Sequence, residues 1–204
     1  MTKHSPNLVL ASSSKYKKTL LERLGIPFTS IDPSIDETPQ PGESPHSLSL
    51  RLAKEKAASI ADKNPEALII GCDQVAVCNN QIIGKPGSRS RAIQQLSFLQ
   101  NKEATFLTSV ALFSKDHQPK QKCATTQVRF RKLTKQQVER YVEIEKPIDC
   151  AGSFKSEALG ISLFEYIKSD DPTALIGLPL ISLTTLLIES GLTPIEHPNQ
   201  FFAK

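Results

Sequence analysis

The sequence predicts an α/β fold, a mixed β-sheet with helices outside it, in one domain of two lobes spanning residues 1–204. Three observations predict it. Short apolar, β-prone runs alternate with segments of helical periodicity. Some of these runs are joined by hairpin signals rather than by helices, so the sheet cannot be wholly parallel. Neither an internal repeat nor a break in composition divides the chain.

The elements follow in order. "NLVLA" (7–11) is a short apolar strand. "SSSKYKKTLLERLG" (12–25) is a helix with serines where an N-cap belongs, Leu20, Leu21 and Leu24 on its apolar side, and Gly25 as the stop. "PFTSI" (27–31) is a second strand. "DPSIDETPQPGESP" (32–45), with four prolines and four acids, is a loop. Ser44 and Pro45 then open a helix over 45–62. A strand buried on both faces covers 67–78, and "NNQIIGKP" (79–86) suggests a tight turn with a short return strand. Residues 88–99 are helical. "TFLTSVALFS" (105–114) and "CATTQVRFRKL" (123–133) alternate like paired antiparallel strands. A helix at 134–145, a strand at "GISLFEYI" (160–167) and a last helix at 178–191, with Pro179 early and Gly191 at its end, complete the series.

Composition narrows the class. With 39% hydrophobic and 23% charged residues the chain is an ordinary globular protein. No run approaches the roughly 18 apolar residues of a membrane span, and the apolar run near the N-terminus is too short for a signal peptide. A cytoplasmic protein without a membrane partner is expected. A net charge of +4 is modest for a nucleic-acid binder, and none is expected as a partner. Cys72, Cys78, Cys123 and Cys150 form no C-x-x-C pair, and His4, His46, His117 and His197 are scattered. Free thiols fit this pattern better than a zinc site, and any metal should be a hard ion with oxygen ligands.

Several residues are candidates for chemistry. The apolar strand "ALIIGCDQVAVC" carries Asp73 and Gln74 side by side, and a buried carboxylate is costly unless something pairs with it. Either Asp73 lies at the strand's mouth with a task, or the strand is shorter than it looks. The first strand runs through three serines into a helix bearing Lys15, Lys17 and Lys18, a natural anion site that lacks the glycines of a Walker loop. Lys56 lies on the apolar stripe Leu48, Leu52, Ala53, Ala57, Ile60, while Arg51 and Lys54 point elsewhere. It either snorkels to the surface or reaches an interior anion. Asp36 and Glu37 are solvated loop acids unless the loop is functional. Lys85 sits on the turn after the hairpin. "DCAGSFKSEALG" (149–160), with Lys155 and Glu157, is either a plain connection or a ligand-binding loop.

"LVLASSSKYKKTLLERLGIPF", "IDETP", "RLAKEKA", "GCDQV", "GKP", "CAGSFKSEALGI" and "GLPL" occur in the order and spacing of the Maf family of nucleotide pyrophosphatases, from Leu8 to Gly191. Within it, "DQV" together with "AGSFKSE" resembles the branch that hydrolyses 7-methyl-GTP. The resemblance implies a Maf/ITPase-like α/β structure with a central cleft between two lobes, often dimeric. It implies Asp73 as the proton acceptor, Tyr16, Gln74 and Glu157 as substrate-specificity positions, and Ser12, Lys17, Lys56 and Lys85 as phosphate-binding positions. Glu37 and Asp73 are the expected holders of a divalent cation (Mg, Mn or Co). The expected partner is a nucleotide substrate; the alternatives are a dTTP/UTP pyrophosphatase of the same family and a non-catalytic nucleotide-binding regulator of cell division. Two departures stand out. Lys15, Lys17 and Lys18 occupy places where the family has Pro and two Arg, which keeps charge but loses the bidentate fork of arginine. Ala158 replaces a common glycine, which matters only where φ is positive.

Overall fold

The computed structural model of the chain describes residues 7–115 and 117–196; His4 and His197 lie outside them. Five helices and seven strands form the frame. β1 (Asn7–Ala11), α1 (Lys15–Glu22) and β2 (Phe28–Ile31) come first. α2 (Pro45–Ala58), β3 (Ala67–Cys78), β4 (Gln81–Ile83) and α3 (Arg89–Leu99) make up the middle. β5 (Glu103–Ser114), β6 (His117–Phe130), α4 (Lys135–Glu145), β7 (Phe164–Ser169) and α5 (Leu180–Ile188) complete the described chain.

The strands make one mixed sheet in the order β2-β1-β3-β5-β6-β7, with β4 added to β3. β1 runs parallel to both β2 and β3, and every later pairing is antiparallel. β3 pairs with β5 without interruption from Ile69 to Val77. Its other edge is split. β1 follows it only as far as Gly71, and β4 begins at Ala76. Residues 72–75 therefore have a sheet neighbour on one side only, and the sheet opens there.

This opening divides the core. Before it, Leu68, Ile70 and Cys72 pack with Leu20 and Leu21 of α1 and Leu183, Leu186 and Leu187 of α5. Beyond it, Ala76 and Cys78 pack with Leu96 of α3, Val138 of α4 and the rings of Phe106, Phe130, Phe154 and Phe164. Those rings meet edge-on, with centroids 4.9 to 5.8 Å apart. The opposite face of β3 is covered by α2. Val9, Ala11, Ala67 and Ile69 meet Ala57 and Ile60, and Val75 meets Leu48 and Leu52.

Gly71 sets how closely α2 approaches. A Cβ at this position would lie 2.0 Å from the Ala53 carbonyl oxygen and 2.8 Å from the Ala57 nitrogen. Only hydrogen lets the helix backbone lie against the strand.

Helix starts follow the sequence signals. Ser14, Ser44 and Ser88 cap α1, α2 and α3, and Thr134 with Gln137 forms a capping box on α4. α5 differs. Pro179 offers no side-chain cap, and the buried Asp171 does the work from eight residues upstream. Its Oδ2 accepts from the backbone N–H groups of Ile181 and Ser182 at 2.8 and 3.2 Å. Other boundaries also shift. α2 ends at Ala58 rather than 62. β6 begins at His117 rather than 123, because backbone pairing with β5 needs no apolar alternation. "GISL" is a 3₁₀ turn, and only Phe164–Ser169 pairs as a strand.

Candidate active site

The split in the sheet is the floor of a cleft of about 690 Å³. The nine site residues implied by the family resemblance all line it, whereas Lys18, Asp36 and Lys155 do not. Ser12, Tyr16 and Lys17 come from the loop after β1 and the start of α1, Glu37 from the proline-rich loop, and Lys56 from α2. Asp73 and Gln74 come from the unpaired edge of β3, Lys85 from the turn after β4, and Glu157 from the 149–160 loop.

Asp73 and Gln74 are neighbours that point to opposite faces of the strand. Asp73 faces α2, where Lys56 meets it: Lys56 Nζ donates to Asp73 Oδ1 at 2.6 Å. The same ammonium lies 2.6 Å from Glu37 Oε1. Lys56 and Asp73 are each only 7% exposed, whereas the Glu37 side chain is 54% exposed. Lys56 thus reaches an interior anion rather than the surface. Burial opposes its charge, but Asp73 and Glu37 outweigh burial and raise the Lys56 pKa. Burial likewise pushes the Glu37 carboxyl up, and the hydrogen bond and charge of Lys56, with the charges of Lys85 and Lys17, bring it below its ordinary value.

Gln74 turns to the other face. Its amide nitrogen donates to the carbonyls of Ala174 and Leu175 at 2.8 and 3.2 Å and approaches Thr108 Oγ1 at 3.0 Å. Its donors are spent on the fold, so what it can offer a ligand is the carbonyl oxygen.

At the start of α1, Ser12 Oγ accepts from the Ser14 N–H at 3.1 Å, and Lys17 Nζ donates to the Cys72 carbonyl at 2.7 Å. That carbonyl lies on the unpaired edge, so Lys17 is held one residue from Asp73. Lysine suffices for this single bond, which needs no bidentate fork. Asp36 is absorbed locally by the N–H and hydroxyl of Thr38 at 2.9 and 2.6 Å. Lys155 is turned away, its ammonium bonded to the Glu145 carbonyl at the end of α4 and 3.5 Å from the Glu145 carboxylate.

One wall of the cleft is aromatic and acidic. The Tyr16 hydroxyl lies 3.4 Å from both oxygens of Asp149, and exposed Glu157 lines the same wall. Burial raises the Tyr16 pKa well above its usual range, helped by Cys150, Asp149 and Glu157, so the hydroxyl stays protonated. Asp149 was not singled out from the sequence, although it opens the 149–160 block. An acid beside a cysteine in a loop carries no periodic signal. Ala158 has φ −132°, so alanine stands in for glycine without strain.

The wall carries four lysines (15, 17, 56, 85) and five carboxylates (32, 37, 73, 149, 157). A nucleoside triphosphate brings about four more negative charges, which such a wall cannot neutralise alone. Among the described residues no cluster of three or more His, Cys, Asp or Glu forms a metal cage. Glu37 and Asp73 do converge, each through one oxygen, on Lys56. Two carboxylates completed by phosphate oxygens and water are an ordinary donor set for magnesium-like ions, so the residues fit a hard divalent cation.

Residues 7–190 match the Maf-like protein family. The chain belongs to the Maf family. Among curated relatives, the 7-methyl-GTP pyrophosphatase of Alcanivorax borkumensis is 50% identical over 192 residues, which cover 94% of this chain and 98% of that protein. The 7-methyl-GTP pyrophosphatase of Pseudomonas aeruginosa is 49% identical over 187 residues, covering 91% and 97%. A partial likeness to the Ham1 protein of Staphylococcus aureus has a TM-score of 0.45 at 17% identity, over 61% of this chain and 71% of the other, too distant to bear on function. The Maf match ends at residue 190, just past α5, so it takes in every strand of the sheet and every wall of the cleft.

Proposed function

We propose that this Maf protein is a nucleoside triphosphate pyrophosphatase that hydrolyses 7-methyl-GTP to 7-methyl-GMP and pyrophosphate, removing a modified nucleotide from the pool. The observation that carries the proposal is the split edge of β3. It delivers a buried carboxylate, Asp73, to a cleft lined by Lys17, Lys56 and Lys85 and by Tyr16 and Glu157. The names of the relatives support the choice of base.

Asp73 is the proton acceptor. Lys56 occupies Oδ1, which leaves Oδ2 to take a proton from water, a step typically worth about 10²–10⁴ in rate. The water attacks the α-phosphorus, its oxygen bonds there as the bridging oxygen departs with pyrophosphate, and the nucleoside monophosphate remains. Lys17, Lys56 and Lys85 offset the phosphate charge, with Ser12 as a hydroxyl donor. A divalent cation (Mg, Mn or Co) held by Glu37 and Asp73 would supply charge stabilisation to the phosphate oxygens. Lys56 and Glu37 hold each other ionised, which keeps the phosphate end organised across the neutral range.

Methylation at position 7 makes guanine cationic. The Tyr16 ring attracts a flat cation. Glu157 accepts from the guanine edge and gains from the positive charge, and the Gln74 carbonyl oxygen accepts what remains. A pyrimidine offers neither the charge nor that donor edge. No described helix is long and apolar enough to cross a membrane, which suits an enzyme acting on free nucleotides in the cytoplasm.

The test is pyrophosphate release from 7-methyl-GTP, GTP, dTTP and UTP with magnesium, manganese or cobalt, for wild type and Asp73→Asn. The expected result is preference for 7-methyl-GTP and less than about a tenth of wild-type turnover in the variant. A wild type that prefers dTTP or UTP overturns the substrate. A variant that retains most activity removes Asp73 as the base.

A further inference from the structure

Lys15 is the first residue of α1. Its ammonium lies 5.0 Å from the centroid of the Tyr16 ring and 3.8 Å from Asp149 Oδ2. A cation thus already rests on the aromatic face of the site and on a carboxylate that none of the assigned roles uses. Asp149 is also approached by two neutral donors, the Tyr16 hydroxyl and the Cys150 thiol, the latter 3.4 Å from Oδ1. Burial pushes the Cys150 thiol up to about 11, so it carries no competing negative charge near neutrality. These two donors lie closer to the carboxylate than Lys15 does, so its ionic partner is the loosest of its contacts. Lys15 is 73% exposed in its side chain, and pairs of that kind contribute little to stability.

We propose that Asp149 is a further specificity-determining residue and that Lys15 is a resident cation which the positively charged base displaces. The inference rests on the 7-methyl-GTP reading. A flat cation stacked on Tyr16 covers the ring and faces Asp149 at once, whereas the ammonium satisfies each only at a distance. With Glu157 on the same wall, two carboxylates flank the ring. Lys15 balances one of them while the cleft is free, and the base takes over that role when it binds. Electrostatic complementarity of this type gives discrimination between a charged and an uncharged base more than raw affinity. Because 7-methylated and unmethylated guanine nucleotides carry the same phosphates, any effect of these residues on phosphate binding cancels in the ratio of the two.

The experiment is calorimetric titration of 7-methyl-GMP and GMP into wild type, Asp149→Asn and Lys15→Met, with thermal melts to check folding. Asp149→Asn should reduce the 7-methyl-GMP to GMP affinity ratio about tenfold, the loss expected when a charged hydrogen-bond acceptor becomes neutral. Lys15→Met should move the ratio the opposite way, by about threefold for an exposed competitor. A wild type that does not distinguish the two nucleotides overturns the substrate reading and this inference with it. A wild type that prefers 7-methyl-GMP, with the ratio unchanged in Asp149→Asn, overturns the inference alone. An unchanged ratio in Lys15→Met overturns the displacement.

Discussion

Lys56 Nζ lies 2.6 Å from Asp73 Oδ1, a buried pair that joins the inward stripe of α2 to the unpaired edge of β3. Glu37 adds a second carboxylate to the same ammonium. This cluster predicts the outcome of Lys56→Met, which keeps the stem and deletes the charge. Turnover should fall by about 10² or more if the ammonium orients both carboxylates and phosphate. Stability should fall by about 2 kcal/mol, below the 3–5 typical of a fully buried pair, because Asp73 borders the cleft. Turnover assays and urea denaturation measure the two effects; an active, fully stable variant would return Lys56 to a packing role.

The cluster also fixes a pH dependence. Glu37 titrates below its ordinary 4.5, so its stabilisation is present above that value and is lost as pH falls through its folded pKa. Lys56 titrates above its ordinary 10.5, so its stabilisation is present below that value and is lost as pH rises through its folded pKa. Between the two the cluster contributes no slope. Melting temperatures of wild type and Lys56→Met should run parallel from about pH 5 to 10 and converge outside that window.

Gly71→Ala should be among the most damaging changes in the chain. The new methyl would meet the Ala53 carbonyl at 2.0 Å, and backbone cannot step aside as a side chain can. Overpacking typically costs about 1–3 kcal/mol, and this contact should reach or exceed the top of that range. It should also withdraw Lys56 from Asp73, so residual folded protein should have low activity. A soluble, wild-type-like melt would contradict the close approach.

Gln74→Glu is nearly isosteric but turns an amide donor into an oxygen facing the carbonyls of Ala174 and Leu175. Loss of those bonds and repulsion should destabilise by about 1–3 kcal/mol. Gln74→Met should cost less, since it removes the donor without adding an acceptor. The order of the two midpoints in urea is the measurement, and the reverse order would mean the amide is oriented the other way.

Arg51 clamps the loop that carries Glu37. It binds Glu43 through Nε at 2.7 Å and Nη2 at 2.8 Å, and Nη2 also reaches the Thr38 carbonyl at 3.1 Å. Arg51→Lys keeps the charge and loses the fork. Proteolytic cleavage within 36–43 should accelerate several-fold, as expected for a loop whose local opening costs about 1 kcal/mol less. KM should rise more than kcat falls, because Glu37 is displaced while Asp73 stays. Unchanged cleavage would show that the prolines alone hold the loop.

Glu157→Gln should reduce kcat/KM for 7-methyl-GTP about tenfold more than for GTP, the worth of a hydrogen bond to a charged group. Equal losses on both substrates would mean that Glu157 supports its loop and reads no charge.

The sequence by itself determined the alternation of strands and helices, the hairpins that make the sheet mixed, the serine caps, and the oddity of an acid in a buried strand. It also placed Lys56 on an inward stripe, because helical periodicity is a local property. Tertiary structure decided the rest. Nothing local says that β1 stops at Gly71 and β4 starts at Ala76, yet that mismatch of partner lengths opens the sheet at Asp73 and Gln74 and sends both to one cleft from opposite faces. Nothing local assigns Asp171 to the start of α5, or turns the Gln74 donors onto the 174–175 carbonyls. Nor could spacing along the chain bring Asp149 to Tyr16, 133 residues away. Periodicity reports which face of an element is buried. Which edges pair, where they stop, and which loops meet across the gap depend on contacts distant in sequence, and only the folded chain fixes those.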